Sequence, residues 1–193
     1  MSDFFNEEVD VYNQAYQNVE VKGAIFRNKT LGNITVSSSS FFDCTFDTVV
    51  FNHVVFTKVD LSNVNFTNCG LHHCRFVDCK MVGTSFVDSV LKFCSLKNIL
   101  GRYWGMSYCK LQEFSIVESD LLEGRFMDIN HHKLSLESVN LKGVEFNSMP
   151  LNGVDLSTCN IEDVLMDVKY LKGAVLSYSQ MVDLAPILGI KLK

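Results

Sequence analysis

The chain has 193 residues, of which 47% are hydrophobic and 20% charged, a balance typical of a globular protein rather than a disordered one. Its net charge of −5 disfavours nonspecific binding to nucleic acid phosphates, because such binding needs an excess of Lys and Arg. The acidic start lacks the features of a secretory signal, and no uncharged apolar run reaches the ~18 residues that would span a bilayer. We therefore predict a cytoplasmic protein.

A five-residue repeat runs from Val11 to Met181. Every fifth residue in this range is large and apolar, except Gly101 and His131. Neither a helix, with period 3.6, nor an ordinary strand, with period 2, places one apolar residue in five over such a length. The pattern predicts a solenoid. We assign residues 1–178 to one such domain, with an N-terminal cap over about residues 1–15.

A second column of the repeat holds small or β-branched residues two positions before each large one. All seven cysteines belong to it: Cys44, Cys69, Cys74, Cys79, Cys94, Cys109 and Cys159. Spacings of five among them follow from the repeat, and no C-x-x-C pair is present, so we interpret them as small core residues. A zinc or redox role for Cys69, Cys74 and Cys79 is the alternative, and no cofactor or metal is predicted.

Several stretches follow the order small, Asp or Asn, Leu or Phe, polar, polar. Two examples are Val59-Asp60-Leu61-Ser62-Asn63 and Val64-Asn65-Phe66-Thr67-Asn68. This pattern resembles the consensus of the pentapeptide-repeat proteins and covers about nine tenths of the chain. The resemblance implies an all-β fold, a right-handed quadrilateral β-helix with four repeats, or about twenty residues, in each coil.

A twenty-residue coil also sorts the charged residues onto different faces. One face carries four lysines and all five histidines: Lys92, Lys110, Lys133, Lys172, His53, His72, His73, His131 and His132. The face opposite carries eight acids: Glu20, Asp43, Asp60, Asp120, Glu123, Glu162, Asp163 and Asp183. Only four bases accompany them: Lys22, Lys80, Arg102 and Lys142. We predict that this acidic face binds the partner, through Asp43, Asp60, Asp120, Glu123, Glu162 and Asp163.

The repeat breaks near its middle, where Gly101 replaces a large residue and Trp104 occupies a small position. The positions twenty residues before and after Trp104 are Thr84 and Gly124, so compensated packing or an outward bulge is the first interpretation. A partner contact through Tyr103 and Trp104 is the alternative, since such aromatic residues favour interfaces.

His131 also replaces a core residue. We predict a buried neutral histidine with a hydrogen-bond partner there, and a distorted corner around it.

Residues 179–193 abandon the repeat. Ser179 is a candidate N-cap of a short helix, and Gly189 is a candidate stop. We predict that this segment caps the open end of the solenoid and forms a homodimer contact, through Met181, Leu184, Ile187, Leu188 and Ile190.

No catalytic motif stands out, and we predict a protein that is not an enzyme. The length and the ending Leu184-Ala185-Pro186-Ile187-Leu188-Gly189-Ile190 resemble the quinolone-resistance (Qnr-type) members of the family. That resemblance implies a dimeric rod that imitates DNA and binds DNA gyrase or topoisomerase IV. A rigid interaction scaffold with an unrelated protein partner is the alternative.

Overall fold

The computed structural model describes residues 9–185 and 187–191. Within them the chain winds as a right-handed quadrilateral β-helix of parallel strands, which confirms the predicted fold class. Residues 1–8 of the predicted N-terminal cap lie outside the described residues, and the first strand already begins at Val11.

Four faces enclose the core, and each is named here by its position around the coil. The histidine face contains β1 Val11–Tyr12, β5 Thr30–Gly32, β9 Val50–Asn52, β12 Gly70–His72, β15 Val90–Lys92 and the first parts of β18 Lys110–Val117 and β20 Asn130–Glu137. The fourth face contains β2 Ala15–Gln17, β6 Thr35–Ser37, β10 Val55–Thr57, β13 Arg75–Val77, β16 Ser95–Lys97 and the later parts of β18 and β20. The acidic face contains β3 Glu20–Lys22 and β7 Ser40–Phe42. The adjacent face, between the acidic and histidine faces, contains β4 Ile25–Arg27, β8 Thr45–Asp47, β11 Asn65–Thr67, β14 Ser85–Val87, β17 Gly105–Ser107, β19 Arg125–Met127, β21 Glu145–Asn147 and β22 Leu165–Met166.

The register is twenty residues on every face. Val11 pairs with Leu31, Tyr16 with Val36, Val21 with Phe41 and Phe26 with Phe46. On the acidic face after β7, single bridges continue this spacing from Ser40 to Asn160. No insertion shifts one face past another along these ladders, so the assignment of charges to faces from the sequence is correct.

The large apolar residues stack inside the coil. Rings of successive coils lie nearly parallel, with centroids 4.8 Å apart between Phe26 and Phe46 and 4.6 Å apart between Phe66 and Phe86. This spacing is close to the ~4.8 Å between hydrogen-bonded strands. Each layer therefore buries its ring against the next, and each buried side chain contributes about 1.5–3 kcal/mol.

The small column lines the corners of the core. All seven cysteines are free and buried there, and their thiols contact backbone carbonyls, as Cys69 Sγ does with Phe46 O at 3.3 Å. Burial raises the pKa of Cys69 to about 12 and the pKa values of Cys79 and Cys109 to about 11. The cysteines are therefore core residues, and the described residues contain no grouping of three His, Cys, Asp or Glu side chains able to hold a metal ion.

From residue 13 to residue 153 the chain turns each corner through a residue with positive φ. Asn, Asp and Gly recur at this position because they tolerate the left-handed conformation better than most residues; Asn68 and Asp88 have φ values of 54° and 50°. On the acidic face the turns are tighter, and Val64 N donates to Leu61 O at 3.1 Å. The polar half of the repeat thus supplies the corners, as its apolar half supplies the core.

The C-terminal end departs from strand structure. A 3₁₀ helix spans Val168–Leu171, and Asp167 accepts a hydrogen bond from Lys169 N at its start. The helix α1 spans Gln180–Leu184. It is shorter than the predicted segment, and the chain then turns through Gly189, whose φ is 68°, with Ile190 N donating to Ala185 O.

Candidate protein-binding faces

The structure places all six predicted acidic residues on the acidic face, in the register that the sequence predicts. They differ in how their carboxylates are used. Asp60 pairs with Lys80 at 3.1 Å, Glu123 with Arg102 at 2.9 Å, and Glu162 with Lys142 at 2.8 Å. Each of these three pairs joins two successive coils, so much of the face's charge is neutralised locally.

Some carboxylates on the acidic face also hold the backbone. Asp120 accepts hydrogen bonds from Leu122 N at 3.1 Å and from Asn140 Nδ2 at 2.8 Å. Burial opposes the ionisation of Asp60, but hydrogen bonds from Ser62 and Lys80 outweigh it and lower the pKa of this carboxyl. Replacing Asp60 or Asp120 would therefore disturb folding together with surface charge.

The adjacent face is also acidic, which was not predicted from the sequence. It carries five acids against two arginines: Asp47, Asp88, Asp128, Glu145, Asp167, Arg27 and Arg125. Arg27 pairs with Asp47 at 3.6 Å and Arg125 with Glu145 at 2.7 Å. Asp88 and Asp128 have no ion-pair partner among the described residues. The same twenty-residue mapping that identified the acidic face would have identified these residues.

Together the two faces form one acidic side of the rod. Among the described residues they carry twelve acidic and six basic side chains. Over residues 9–178, the histidine and fourth faces carry nine basic side chains against six acidic ones. The lopsided charge that the sequence predicted is therefore present, and it covers two sides of the square rather than one.

At the break in the repeat, the large side chain of Trp104 compensates in the core for the missing side chain of Gly101. Trp104 is 0% exposed, and its ring lies between Phe86 and Phe126, with centroids 5.7 and 5.6 Å away. A Cβ on Gly101 would lie 2.9 Å from Leu121 Cδ2, so the absence of a side chain there makes room. The packing interpretation is confirmed, and Trp104 as a partner contact is wrong.

Tyr103 differs from Trp104, because 57% of its surface is exposed. The Arg102 guanidinium lies 4.9 Å from the centre of its ring, on the acidic face. Tyr103 therefore stays a candidate contact residue.

His131 is half-buried rather than buried, which corrects the prediction for this corner. Its Nε2 lies within hydrogen-bond distance of Pro150 O. Pro150 has no N–H to continue the strand ladder, and a groove of about 380 Å³ opens between residues 129–131 and 150–152. The contact between His131 Nε2 and Pro150 O joins the two coils at this corner.

The C-terminal segment separates into a buried and an exposed set. Leu184 is buried, while Ile187 and Leu188 are half-buried against the core. Met181 and Ile190 are exposed, as are Tyr178 and Val182. The buried residues cover the end of the solenoid, and the exposed residues form an apolar surface there. Tyr178 and Val182 belong to this surface but were not among the predicted dimer-contact residues.

Ser179 does not cap α1 with its side chain, contrary to the prediction. Ser177 and Gln180 hold the start of the helix instead: Ser177 N donates to Gln180 Oε1 at 2.8 Å. The Gln180 side chain is buried, and its Nε2 donates to the carbonyls of Leu156 and Cys159 at 2.7 and 2.8 Å. One amide group thus ties the helix to the last complete coil.

Among the described residues, no helix is both long enough and apolar enough to cross a membrane.

Comparison with known proteins gives matches to family models and to solved structures. Residues 49–125 match the model of the pentapeptide repeat region, and residues 3–86 match the model of the SV2A/B/C luminal domain. No curated protein sequence matches the chain.

The chain is similar in structure to QnrB1, a plasmid-mediated fluoroquinolone resistance protein. One QnrB1 structure has 18% sequence identity and a TM-score of 0.46, covering 96% of this chain and 99% of that one. The chain is also similar to HetL of the cyanobacterium Nostoc sp. strain PCC 7120, a pentapeptide repeat protein involved in heterocyst differentiation regulation. The identity is 13% and the TM-score 0.30, with 90% of this chain and 91% of HetL covered. A five-residue register from Val11 to Met181, a twenty-residue coil and the match over residues 49–125 make this chain similar to the pentapeptide-repeat proteins.

Proposed function

We propose that the protein is a non-enzymatic cytoplasmic rod whose acidic side binds the DNA-binding surface of a type II topoisomerase, DNA gyrase or topoisomerase IV. The observation that carries the proposal is the continuous acidic side formed by the acidic and adjacent faces. A surface that binds DNA is basic, and a rigid acidic rod complements it in charge. Because QnrB1 is a fluoroquinolone resistance protein, a fluoroquinolone is the drug chosen for the test.

The negative charge per unit length of the rod is lower than that of DNA, so net charge alone does not account for binding. The acidic side has a net charge of −6 over a ladder of eight strands, or about one negative charge per 6 Å at ~4.8 Å per coil. B-form DNA carries one charge per about 1.7 Å. The rod therefore has roughly a quarter of DNA's density, so individual carboxylates and contact residues such as Tyr103 must contribute to the affinity.

The first experiment measures supercoiling of relaxed plasmid by gyrase, titrated with the purified protein, with and without a fluoroquinolone. Inhibition of supercoiling, or rescue from the drug, is the expected result. No effect under either condition would reject a topoisomerase partner and favour the scaffold with an unrelated partner.

A matched pair of variants then tests the acidic side. Asp128→Lys reverses one charge on the adjacent face, and Glu137→Lys reverses one on the opposite face of the same coil. Lysine is tolerated at this corner position, since Lys58 and Lys133 occupy it with φ values of 55° and 56°. Asp128→Lys should weaken gyrase binding about tenfold, and Glu137→Lys, which changes the net charge by the same amount, should change it little. Equal effects from both would show that net charge alone matters and would reject a specific acidic side.

A further inference from the structure

A second surface lies at the corner between the histidine and fourth faces, away from the acidic side. It is a groove of about 360 Å³ lined by His53, Val55, His73, Arg75, Phe93 and Ser95. One wall is a column of stacked rings. His53 and His73 have centroids 4.6 Å apart, and His73 and Phe93 4.8 Å apart.

Arg75, on the other wall, differs from the other arginines in its ion pairing. Arg27, Arg102 and Arg125 each pair with a carboxylate on a neighbouring coil. Within residues 9–185 and 187–191, Arg75 is the one arginine that forms no ion pair. Its guanidinium therefore has a full set of donors to offer to a ligand.

The surroundings of the groove are positive although the whole chain is negative. Over residues 50–98 the histidine and fourth faces carry Lys58, Arg75, Lys92 and Lys97, against Asp78 as the one acid. Asp78 lies at the far corner of the fourth face, where it accepts a hydrogen bond from Asn98 at 2.7 Å. On the histidine face, burial together with the charges of Lys92 and His73 lowers the pKa of His72. An anion entering this groove meets a positive potential and no competing carboxylate on its walls.

We propose that this groove binds a phosphate monoester or inorganic phosphate. The Arg75 guanidinium binds two of the oxygens as a fork. The Ser95 hydroxyl on the same wall and a ring N–H of His73 on the facing wall donate to the others. His53 Nδ1 already lies 2.9 Å from Asn52 Oδ1, so the His53 ring lines the groove without being required as a donor. A tetrahedral dianion suits donors on two opposed walls better than a planar carboxylate, which presents two oxygens on one side. The groove is open at its surface, so an ester group can extend into solvent.

The test uses the full chain and two probes, inorganic phosphate and phenyl phosphate, with NMR detection of the histidine Cε1–H resonances. Either probe should shift His53 and His73 saturably and leave His131 and His132 unchanged. Arg75→Gln should weaken binding by about tenfold or more, the usual effect of losing a charge-assisted hydrogen bond. His73→Asn should also weaken it without unfolding the corner, because Asn13 and Asn33 occupy the same column with φ values of 55° and 53°.

Lys110→Gln provides the control, because it removes one positive charge from the same face outside the groove. Binding should persist in this variant. Equal weakening by Lys110→Gln and Arg75→Gln would show general electrostatic attraction and overturn the proposal. Unsaturable shifts of all five histidines with both probes would overturn it as well.

Discussion

Trp104 and Gly101 show how one residue compensates for another within the repeat. Glycine at a core position removes a large side chain, and the indole three residues later fills the space from a small position. Gly124, in the next coil, lets the backbone approach, because a Cβ there would lie 2.8 Å from Trp104 O. The indole Nε1 is buried with no hydrogen-bond partner among the described residues, so ring packing has to offset that cost.

This exchange predicts strong coupling between the two positions. Trp104→Val alone should destabilise the protein by about 3–5 kcal/mol through cavity formation, and Gly101→Leu alone by about 1–3 kcal/mol through overpacking. The double variant restores the ordinary repeat. Its loss in free energy of unfolding should be at least ~1 kcal/mol smaller than the sum of the losses of the two single variants. Urea unfolding of all four proteins measures this, and additive losses would contradict the exchange.

The buried thiols predict a loss of stability at alkaline pH. The folded pKa of Cys79, about 11, lies above its ordinary value of 9.0. The folded state therefore keeps a proton that the unfolded state loses. The contribution of this thiol to the free energy of unfolding is complete below pH 9. It falls by about 1.4 kcal/mol per pH unit as the pH rises from 9 towards 11.

Urea unfolding between pH 8 and pH 11 can isolate this contribution. Cys79→Ala should show a shallower decline than the wild type. Val59→Ala is the control, since Val59 occupies the same column one coil earlier and does not titrate. If Cys79→Ala and the wild type declined in parallel, the thiol would not be responsible.

At the scale of the element, α1 depends on one side chain more than on its own length. With five residues it is too short to be stable alone. Gln180→Ala would leave the carbonyls of Leu156 and Cys159 buried without their donor, at a cost of about 1–3 kcal/mol for each. Hydrogen exchange of residues 180–190 should become faster than in the wild type. Ser179→Ala should leave it unchanged, because Ser179 makes no side-chain cap bond.

The elements differ in how far the sequence predicts them. The solenoid follows from the five-residue periodicity. The twenty-residue coil that the family resemblance implies then assigns the acidic residues to one face, because every coil repeats the same inward and outward positions. The half-exposed His131 does not, since its ring contacts the carbonyl of Pro150, nineteen residues later in the chain. The helix start held by Ser177 and Gln180 is equally specific to tertiary contacts, because the buried carbonyls that fix Gln180 belong to the previous coil.

At the scale of the whole molecule, the two ends of the rod matter as much as its sides. A parallel solenoid leaves unpaired strand edges and an open core at each end. At the C-terminal end Leu184 and its neighbours cover the core. Four apolar residues of the same segment stay exposed, namely Tyr178, Met181, Val182 and Ile190, and Tyr178 is 98% exposed. A two-fold contact between C-terminal ends would bury this surface and join two acidic sides into a longer one.

The proposed homodimer can be tested by placing charge within this surface. Met181→Glu and Val182→Glu replace exposed apolar residues on α1 that do not contribute to the core. Each should convert a dimer to a monomer in sedimentation equilibrium while leaving the circular dichroism spectrum and urea midpoint close to those of the wild type. Leu165→Glu is the matched control, because Leu165 is similarly exposed but lies on the adjacent face. A wild type that sediments as a monomer at high concentration would reject the dimer. A dimer that Leu165→Glu dissociates and Val182→Glu does not would move the interface from the C-terminal end to the side of the rod.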